Sequence, residues 1–318
     1  MKKIKELRFS DLMILYDGRC FFRHVEGWEG PLTLSPKEFE QDLDELKSIL
    51  NKKQEREFFL QYDDVPYRVA KVKTLNGCGY FLRRPAYPVP EFCDLGFKLK
   101  AQDALLKLGR MHGMILFSGA TGSGKSTSIY SLIQLYLNQY GDIAVAIEDP
   151  PELPAQGSYG KNDKGLWYQI DANDAGGYEG AMVSAMRYNP RYIVLGEIRT
   201  PAAANEAIRA AVNGHVVLTT IHGSSVSGAI LALQQLAAAH TGSQELARSI
   251  LADGLLAVVH QKLENGKAFG RRRLNAETLF LGEGEHGIRS KIRNGKLELI
   301  SSDIEFQKNQ IDNGKNIL

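Results

Sequence analysis

The stretch Gly119-Ala-Thr-Gly-Ser-Gly-Lys-Ser-Thr127, GATGSGKST, decides the reading of this chain. It matches G-x-x-x-x-G-K-[ST], follows the apolar run GMILFS (113–118) and opens a helical pattern from Lys125 to Gln139, the context in which that motif has physical meaning. Gly122 and Gly124 let the backbone fold around phosphate groups with its N–H groups turned inward, and the helix N-terminus adds positive potential. Lys125 is positioned to reach β- and γ-phosphates, and the Ser126 hydroxyl to bind magnesium. The residues from Gly119 to Thr127, with Ala120, Thr121 and Ser123 among them, form a candidate site for ATP and Mg2+.

Strands and helices alternate outward from this loop. After DIAVAIEDP (142–150) come a helix around EGAMVSAMRY (179–188), the strand RYIVLGE (191–197), a helix over Ala202–Ala211 and the strand GHVVLTTIH (214–222). Continuous Ile/Val/Leu strands alternating with helices predict a mostly parallel sheet buried on both faces. Residues 224–260, rich in Ala and Leu, read as helices, and the polar C-terminal tail is expected to fray.

In such a sheet, ligands bind beyond the C-terminal strand ends. Glu148, Asp149 and Glu152 lie there, on a turn stiffened by Pro150 and Pro151, and Glu152 is the candidate general base because it reaches furthest beyond the turn. Glu197 ends another buried strand; it either pairs with Arg199 as an ordinary strand-end carboxylate or orders the water shell of magnesium. Gly196 before it leaves room for close backbone approach. His222, beside Thr219 and Thr220, can donate to a γ-phosphate or be a satisfied structural histidine, and His215 brackets the same strand.

The first 84 residues read as a separate small α/β domain. SDLMILYDGRCFFRHV (10–25) predicts a hairpin turning at Asp17-Gly18. A helix follows over SPKEFEQDLDELKSILNKKQEREFF (35–59), capped by Ser35 with Pro36 in its first position and Glu38 completing a capping box. Phe39, Leu43, Leu46 and Leu50 form its apolar stripe, and its charged residues a solvated face. VPYRVAKVKT (65–74) and GYFLRR (79–84) predict strands separated by Asn76-Gly77. Pro85, Pro88 and Pro90 mark residues 85–97 as an interdomain linker, and residues 98–318 as the second domain, opening with an amphipathic segment from Lys98 to Leu108.

Bulk composition narrows the alternatives. The net charge is +2, with 43% hydrophobic and 24% charged residues, so no whole-molecule field points to nucleic acid. The dense basic run Arg271–Arg273 reads as a surface or partner-docking patch. Cys20, Cys78 and Cys93 form no C-x-x-C pair, so neither zinc nor a disulfide framework is expected. The N-terminal residues lack a signal-peptide core, and no run approaches the ~20 apolar residues of a membrane span. The expectation is a cytoplasmic protein whose membrane association, if any, is peripheral or through a partner.

The boxes GATGSGKS, IEDPPE, VLGEIR and GHVVLTTIH, in that order, resemble the secretion ATPase superfamily, and within it the PilT-type motors of type IV pili and the DotB-type ATPases of type IV secretion and conjugation. The resemblance extends to a PAS-like N-terminal domain beginning SDLMI and to the tail element IRSKIRNGK (288–296). It implies a RecA-like ATPase domain, a homohexamer, and an inner-membrane platform protein as partner at the cytoplasmic face. It also implies that Glu152 is the catalytic glutamate, Glu197 the Walker B glutamate, and His222 a phosphate contact assisted by His215. Arg68 and Arg83 match the N-terminal-domain arginines that close such sites, and Arg187 and Arg199 fall on arginine positions around the Walker B strand. The chain departs from many retraction ATPases at Asn189-Pro190-Arg191, where they carry Asp-Pro-Asp, and YQIDAN (168–173) lacks their usual arginine. The assembly and type II secretion branch carries a four-cysteine zinc element, for which no cysteine follows Cys93. A nucleic-acid translocase on the same core would need a basic track and stacking aromatics, and a small-molecule kinase an acceptor pocket and lid.

Overall fold

The computed structural model describes residues 2–85, 87–265, 272–282 and 285–318, with the side chains of Asn265 and Arg272 outside the description. Of the basic run, Arg271 lies outside the described residues. The chain divides into two compact units. One comprises the residues up to Pro88 together with Pro150–Pro154; the other comprises Val89–Asp149 and Ala155–Leu318. Among the described residues no helix is long and apolar enough to cross a membrane.

The first unit contains β1 (Asp11–Ile14), β2 (Cys20–Arg23), β3 (Leu32–Leu34), α1 (Glu40–Asn51), β4 (Glu57–Tyr62), β5 (Val65–Thr74) and β6 (Gly77–Arg83). Its antiparallel sheet runs β3-β2-β1-β6-β5-β4. Phe39, Leu43, Leu46 and Leu50 are buried against Leu12, Phe22, Tyr67 and Val69, as the helical stripe requires.

Local details of this unit differ from the sequence expectation. Ser35 does not cap α1: its hydroxyl donates to the Pro36 carbonyl at 3.3 Å, and a 3-10 turn over Lys37–Phe39 precedes the helix. The helix stops at Asn51, and residues 57–59, expected to continue it, open the strand Glu57–Tyr62. The cause lies downstream, where Asp63 and Asp64 both take positive φ (48° and 63°) and close a two-residue hairpin that sets Tyr62 opposite Val65. The β5–β6 hairpin turns at Leu75-Asn76, with Thr74 opposite Gly77, one residue earlier than expected.

The charged face of α1 is not wholly solvated either. Asp42 is fully buried, accepting from Lys3 Nζ (2.7 Å), the Ile4 N–H (2.8 Å) and the Tyr62 hydroxyl (2.8 Å). Burial opposes its ionisation, but the bonds from Lys3, Ile4 and Tyr62 outweigh burial and hold the carboxyl below its ordinary value of 3.8.

The second unit is a single twisted sheet with helices on its faces. Its elements are α2 (Leu99–Leu108), β7 (Gly113–Ser118), α3 (Lys125–Gln139), β8 (Asp142–Glu148), β9 (Gly157–Tyr159), β10 (Gly165–Asp171), α4 (Gly177–Arg187), β11 (Tyr192–Leu195), α5 (Pro201–Val212), β12 (Val216–Ile221), α6 (Val226–Thr241), α7 (Gln244–Gly254), β13 (Leu255–Asn265), β14 (Arg272–Phe280), α8 (His286–Arg293) and α9 (Ile300–Asp312). The order is β14-β13-β7-β12-β11-β8-β10-β9, parallel from β13 to β10, with antiparallel strands at both edges. Every residue of β7, β11 and β12 is buried, which is why these strands read as unbroken apolar runs.

Two expectations for this unit are corrected. The stretch expected to be helical to His260 turns into a strand at Leu255, because it pairs with β7 and fills the sheet beyond it. The tail does not fray. Ile288, Ile292, Ile300, Ile304 and Ile311 are buried, and the Gln307 side chain exchanges hydrogen bonds with the Phe280 N–H (2.8 Å) and carbonyl (2.9 Å), continuing the pairing of edge strand β14.

Replacing Asp42 with Ala is expected to destabilise the first unit by about 2 kcal/mol or more, because it orphans buried donors. Its folded pKa is depressed, so its contribution is complete above pH ~4 and is lost as the pH falls through the folded value. Chemical denaturation of wild type and variant between pH 3 and 7 checks this; the gap should close at the acid end.

Candidate active site

Strand β7 delivers the chain to the C-terminal edge of the parallel sheet, and the phosphate loop turns there into α3. Gly119, Gly122 and Gly124 take positive φ (141°, 77° and 86°). Space also dictates Gly119, since a Cβ there would lie 2.3 Å from the Gln261 carbonyl oxygen, whereas Gly122 faces open space and is required by conformation alone. The Lys125 ammonium donates to the carbonyls of Gly119 (2.9 Å) and Ala120 (3.0 Å), so it already spans the loop it opens. Ser126 and Thr127 occupy the first turn of α3, where helical N–H groups have no partner within the helix.

The loop is braced from β13, by Gln261, which the sequence reading left unassigned, and by His260, which it placed at the end of a helical stretch. Gln261 is fully buried and its Nε2 donates to the Ser123 carbonyl at 2.7 Å. Beside it, His260 Nδ1 lies 3.0 Å from the Ser118 hydroxyl. Burial, followed by the charge of Lys262, holds the His260 imidazole below its ordinary pKa. The signal available in the sequence was the β-branched pair Val258-Val259 ahead of them.

The acidic residues end neighbouring strands. Glu148 closes β8 and is buried; its Oε2 accepts from the Tyr130 hydroxyl of α3 (2.5 Å) and from Gln169 of β10 (3.2 Å). Asp149 is exposed and accepts from the Asn173 side-chain amide. A Cβ at Gly196 would already touch Glu148 Cγ, the Ile147 carbonyl and the Tyr178 hydroxyl, each at 3.5 Å. This strand end thus lies in contact with the Glu148 side chain of the neighbouring strand β8. Burial, with the negative charge of Asp149, pushes the Tyr178 phenol up to about 12, so it stays a neutral donor.

Glu197 is the hub of the edge. One oxygen meets His222 Nε2 at 2.9 Å; the other accepts from Arg199 Nη2 (2.6 Å) and Nε (2.7 Å). The Thr220 hydroxyl donates to the Gly196 carbonyl (2.8 Å) and the Ile198 N–H to the Thr220 carbonyl (2.9 Å), fixing Glu197 between β11 and β12. Glu197 thus does pair with Arg199, and with His222 as well. The His222 side chain is 63% exposed, so this partner is open to solvent.

Lys125, Ser126, Glu197 and His222 therefore share one edge of one sheet. His215 does not join them. It precedes β12, with Nδ1 on the Pro190 carbonyl at 2.7 Å, at the opposite edge and about 20 Å away along a six-residue strand. Glu152 belongs with the first unit, where it pairs with Arg68 at 3.5 Å. Arg68 also meets Glu57 at 3.5 Å and stands opposite Arg83, which pairs with Asp11 at 3.6 Å.

The oxygen donors Ser126 and Glu197 suit a hard cation such as magnesium. Among the described residues no group of three or more His, Cys, Asp and Glu side chains gathers to hold a metal by itself.

This geometry can be set beside known proteins. The family model described as type II/IV secretion system protein matches residues 51–287. The competence protein ComGA of Bacillus subtilis (strain 168) is 32% identical over 209 residues, covering 65% of this chain and 57% of its own. The type IV pilus retraction ATPase PilT of Pseudomonas aeruginosa is 29% identical over 292 residues, covering 88% of this chain and 80% of its own. Apart from that protein, the chain spans about half the length, or less, of such curated relatives. Among solved structures, the pilus retraction motor PilT with bound ADP superposes with a TM-score of 0.75 at 28% identity, covering 96% of this chain and 90% of that one. The Legionella pneumophila ATPase DotB does so with a TM-score of 0.69 at 20% identity, covering 92% and 84%, a likeness of fold. A motif order, a sheet edge and a family match over well over half of the chain agree: it belongs to the type II/IV secretion system protein family.

Proposed function

We propose that this chain is the ATP-hydrolysing motor subunit of a type IV pilus, type IV secretion or conjugation machine. It works as a ring of six at the cytoplasmic face of the inner membrane, against a membrane platform protein. The observation that carries the reading is the phosphate loop sharing its sheet edge with the Glu197–His222 pair, in a chain similar to a retraction motor that binds ADP.

In this reading the loop from Gly119 to Thr127 holds the triphosphate with its N–H groups. Lys125 exchanges the Gly119 and Ala120 carbonyls for β- and γ-oxygens, neutralising charge as the bond to the bridging oxygen loosens. Glu152 orients the water and accepts its proton as the water oxygen bonds to the γ-phosphorus and ADP departs with the bridging-oxygen electrons. Ser126, and Glu197 through water, would hold magnesium, which when bound supplies further charge neutralisation. His222 exchanges Glu197 for the γ-phosphate and so reports its presence. His215 serves the same strand from its other end, as a support at Pro190. Arg68 and Arg83 supply guanidinium charge from the N-terminal unit, with Glu152 and Arg68 already partners there.

Lys125→Ala is expected to abolish ATP turnover and nucleotide binding. Glu152→Gln is expected to lower turnover by about 10³-fold while leaving ADP binding in place. Phosphate release and fluorescent-ADP titration on the folded variants check both, and near-normal hydrolysis in either would remove the assigned role. Gln261→Leu, which deletes the brace beneath Ser123, is expected to weaken ADP binding by about tenfold, with kcat at saturation within about threefold. Unchanged affinity would show that the loop holds its shape without β13.

A further inference from the structure

One side chain ties down the residues that follow the acidic turn. Gln169, near the end of β10, accepts through Oε1 from the backbone N–H groups of Ala155 (2.7 Å) and Gln156 (3.0 Å). Its Nε2 faces the other way and donates to the Tyr130 hydroxyl (3.1 Å) and to Glu148 Oε2 (3.2 Å). Tyr130 donates to that same oxygen at 2.5 Å. Tyr130 is 1% exposed and packs its ring against Trp167, two residues before Gln169, with centroids 5.1 Å apart.

The ends of this network are two features already assigned to chemistry. Tyr130 stands on α3, five residues beyond Lys125. Ala155 follows the segment Pro150–Pro154 that carries Glu152, and Glu148 lies two residues before that segment. The buried carboxylate makes the links mutually dependent, because a polar group out of water requires hydrogen-bond partners, and here Tyr130 and Gln169 supply them. Gly196 lies beside this carboxylate, an added Cβ there being 3.5 Å from Glu148 Cγ.

We propose that Tyr130 and Gln169 are positioning residues that couple the phosphate-loop helix to the acidic turn through Glu148. A shift of α3 on phosphate contact then changes where both ends of the turn are held. Neither residue touches phosphate or the reacting water. The inference rests on Glu152 being the water-activating carboxylate, and it locates the control of that carboxylate in the network that holds the residues flanking its turn in the chain. The consequence is a division of kinetic labour: affinity for nucleotide belongs to the loop, and the rate of the bound state depends on the Tyr130–Glu148–Gln169 network.

The test is steady-state ATP hydrolysis with ADP titration on Gln169→Met, which keeps length but loses both hydrogen-bonding groups, and on Tyr130→Phe, which removes one oxygen and keeps the ring on Trp167. Each is expected to lower kcat about tenfold, with KM for ATP and affinity for ADP within about twofold of wild type. The double variant should fall no further than the worse single one, as members of one network do. A kcat within twofold of wild type in Tyr130→Phe, or a loss that appears in KM, overturns the proposal. If Gln169→Met does not fold, Tyr130→Phe alone decides. Glu152→Gln run in parallel separates the two levels: an inactive Glu152→Gln beside a normal Gln169→Met overturns the coupling alone, whereas an active Glu152→Gln overturns the assignment beneath it.

Discussion

A loop that turns its backbone N–H groups toward a phosphate withdraws them from the hydrogen bonds that would otherwise hold it in shape. Its conformation must then be enforced from outside. Here the enforcement comes from below and behind: β13 places the Gln261 amide under the Ser123 carbonyl and the Gln261 backbone against Gly119, while Lys125 closes the loop's own carbonyls. Much of the second unit follows from meeting this demand. A strand must lie next to β7 on the side away from β12; β14 pairs with that strand, and α9 packs on β14 in turn. Helix α9 of the tail is thus part of what keeps the phosphate loop open.

This explains which parts were legible in the sequence. The stretch from Gly113 to Gln139 reads correctly because its signals are local: an apolar run, positive-φ glycines, a lysine and an uninterrupted helical pattern. Strand β13 does not, because Leu255–His260 continues an Ala/Leu-rich run and only its pairing with β7 makes it a strand. Strands β9 and β10 were missed because β9 has only three residues and the adjacent Tyr168 and Gln169 break the apolar run of β10. In the first unit, the Asp63-Asp64 turn escaped because aspartates at positive φ give a weaker signal than Asn-Gly. Asp42 escaped because a carboxylate on a helix is ordinarily solvated, and its burial depends on Lys3 and Tyr62, which lie far from it in sequence.

The candidate site was legible in its residue types and less so in their partnerships. Glu197 was readable as a strand-end carboxylate, but its simultaneous engagement of Arg199 and His222 needed the juxtaposition of β11 and β12. A carboxylate offers about four lone-pair positions, so these contacts leave Glu197 capacity for a water. His215 and His222 look equivalent in GHVVLTTIH, yet a six-residue strand carries them to opposite edges of the sheet. Sequence proximity within a box therefore says little about shared chemistry when the box is a strand.

Gly196 shows most directly how composition at one strand end is set by another. In isolation it is a strand-end position without a carboxylate. In the sheet it lies against Glu148, which is buried and accepts hydrogen bonds from Tyr130 of α3 and Gln169 of β10. An aspartate at 196 would bring a second carboxylate beside a buried one, and two such groups close together out of water disfavour each other's ionisation. The absence of a side chain at 196 and the presence of Tyr130 and Gln169 are therefore one arrangement. Moving the carboxylate from β11 to β8 attaches it to the strand that runs directly into the acidic turn. That is what gives the turn a mechanical link to the helix that opens at Lys125.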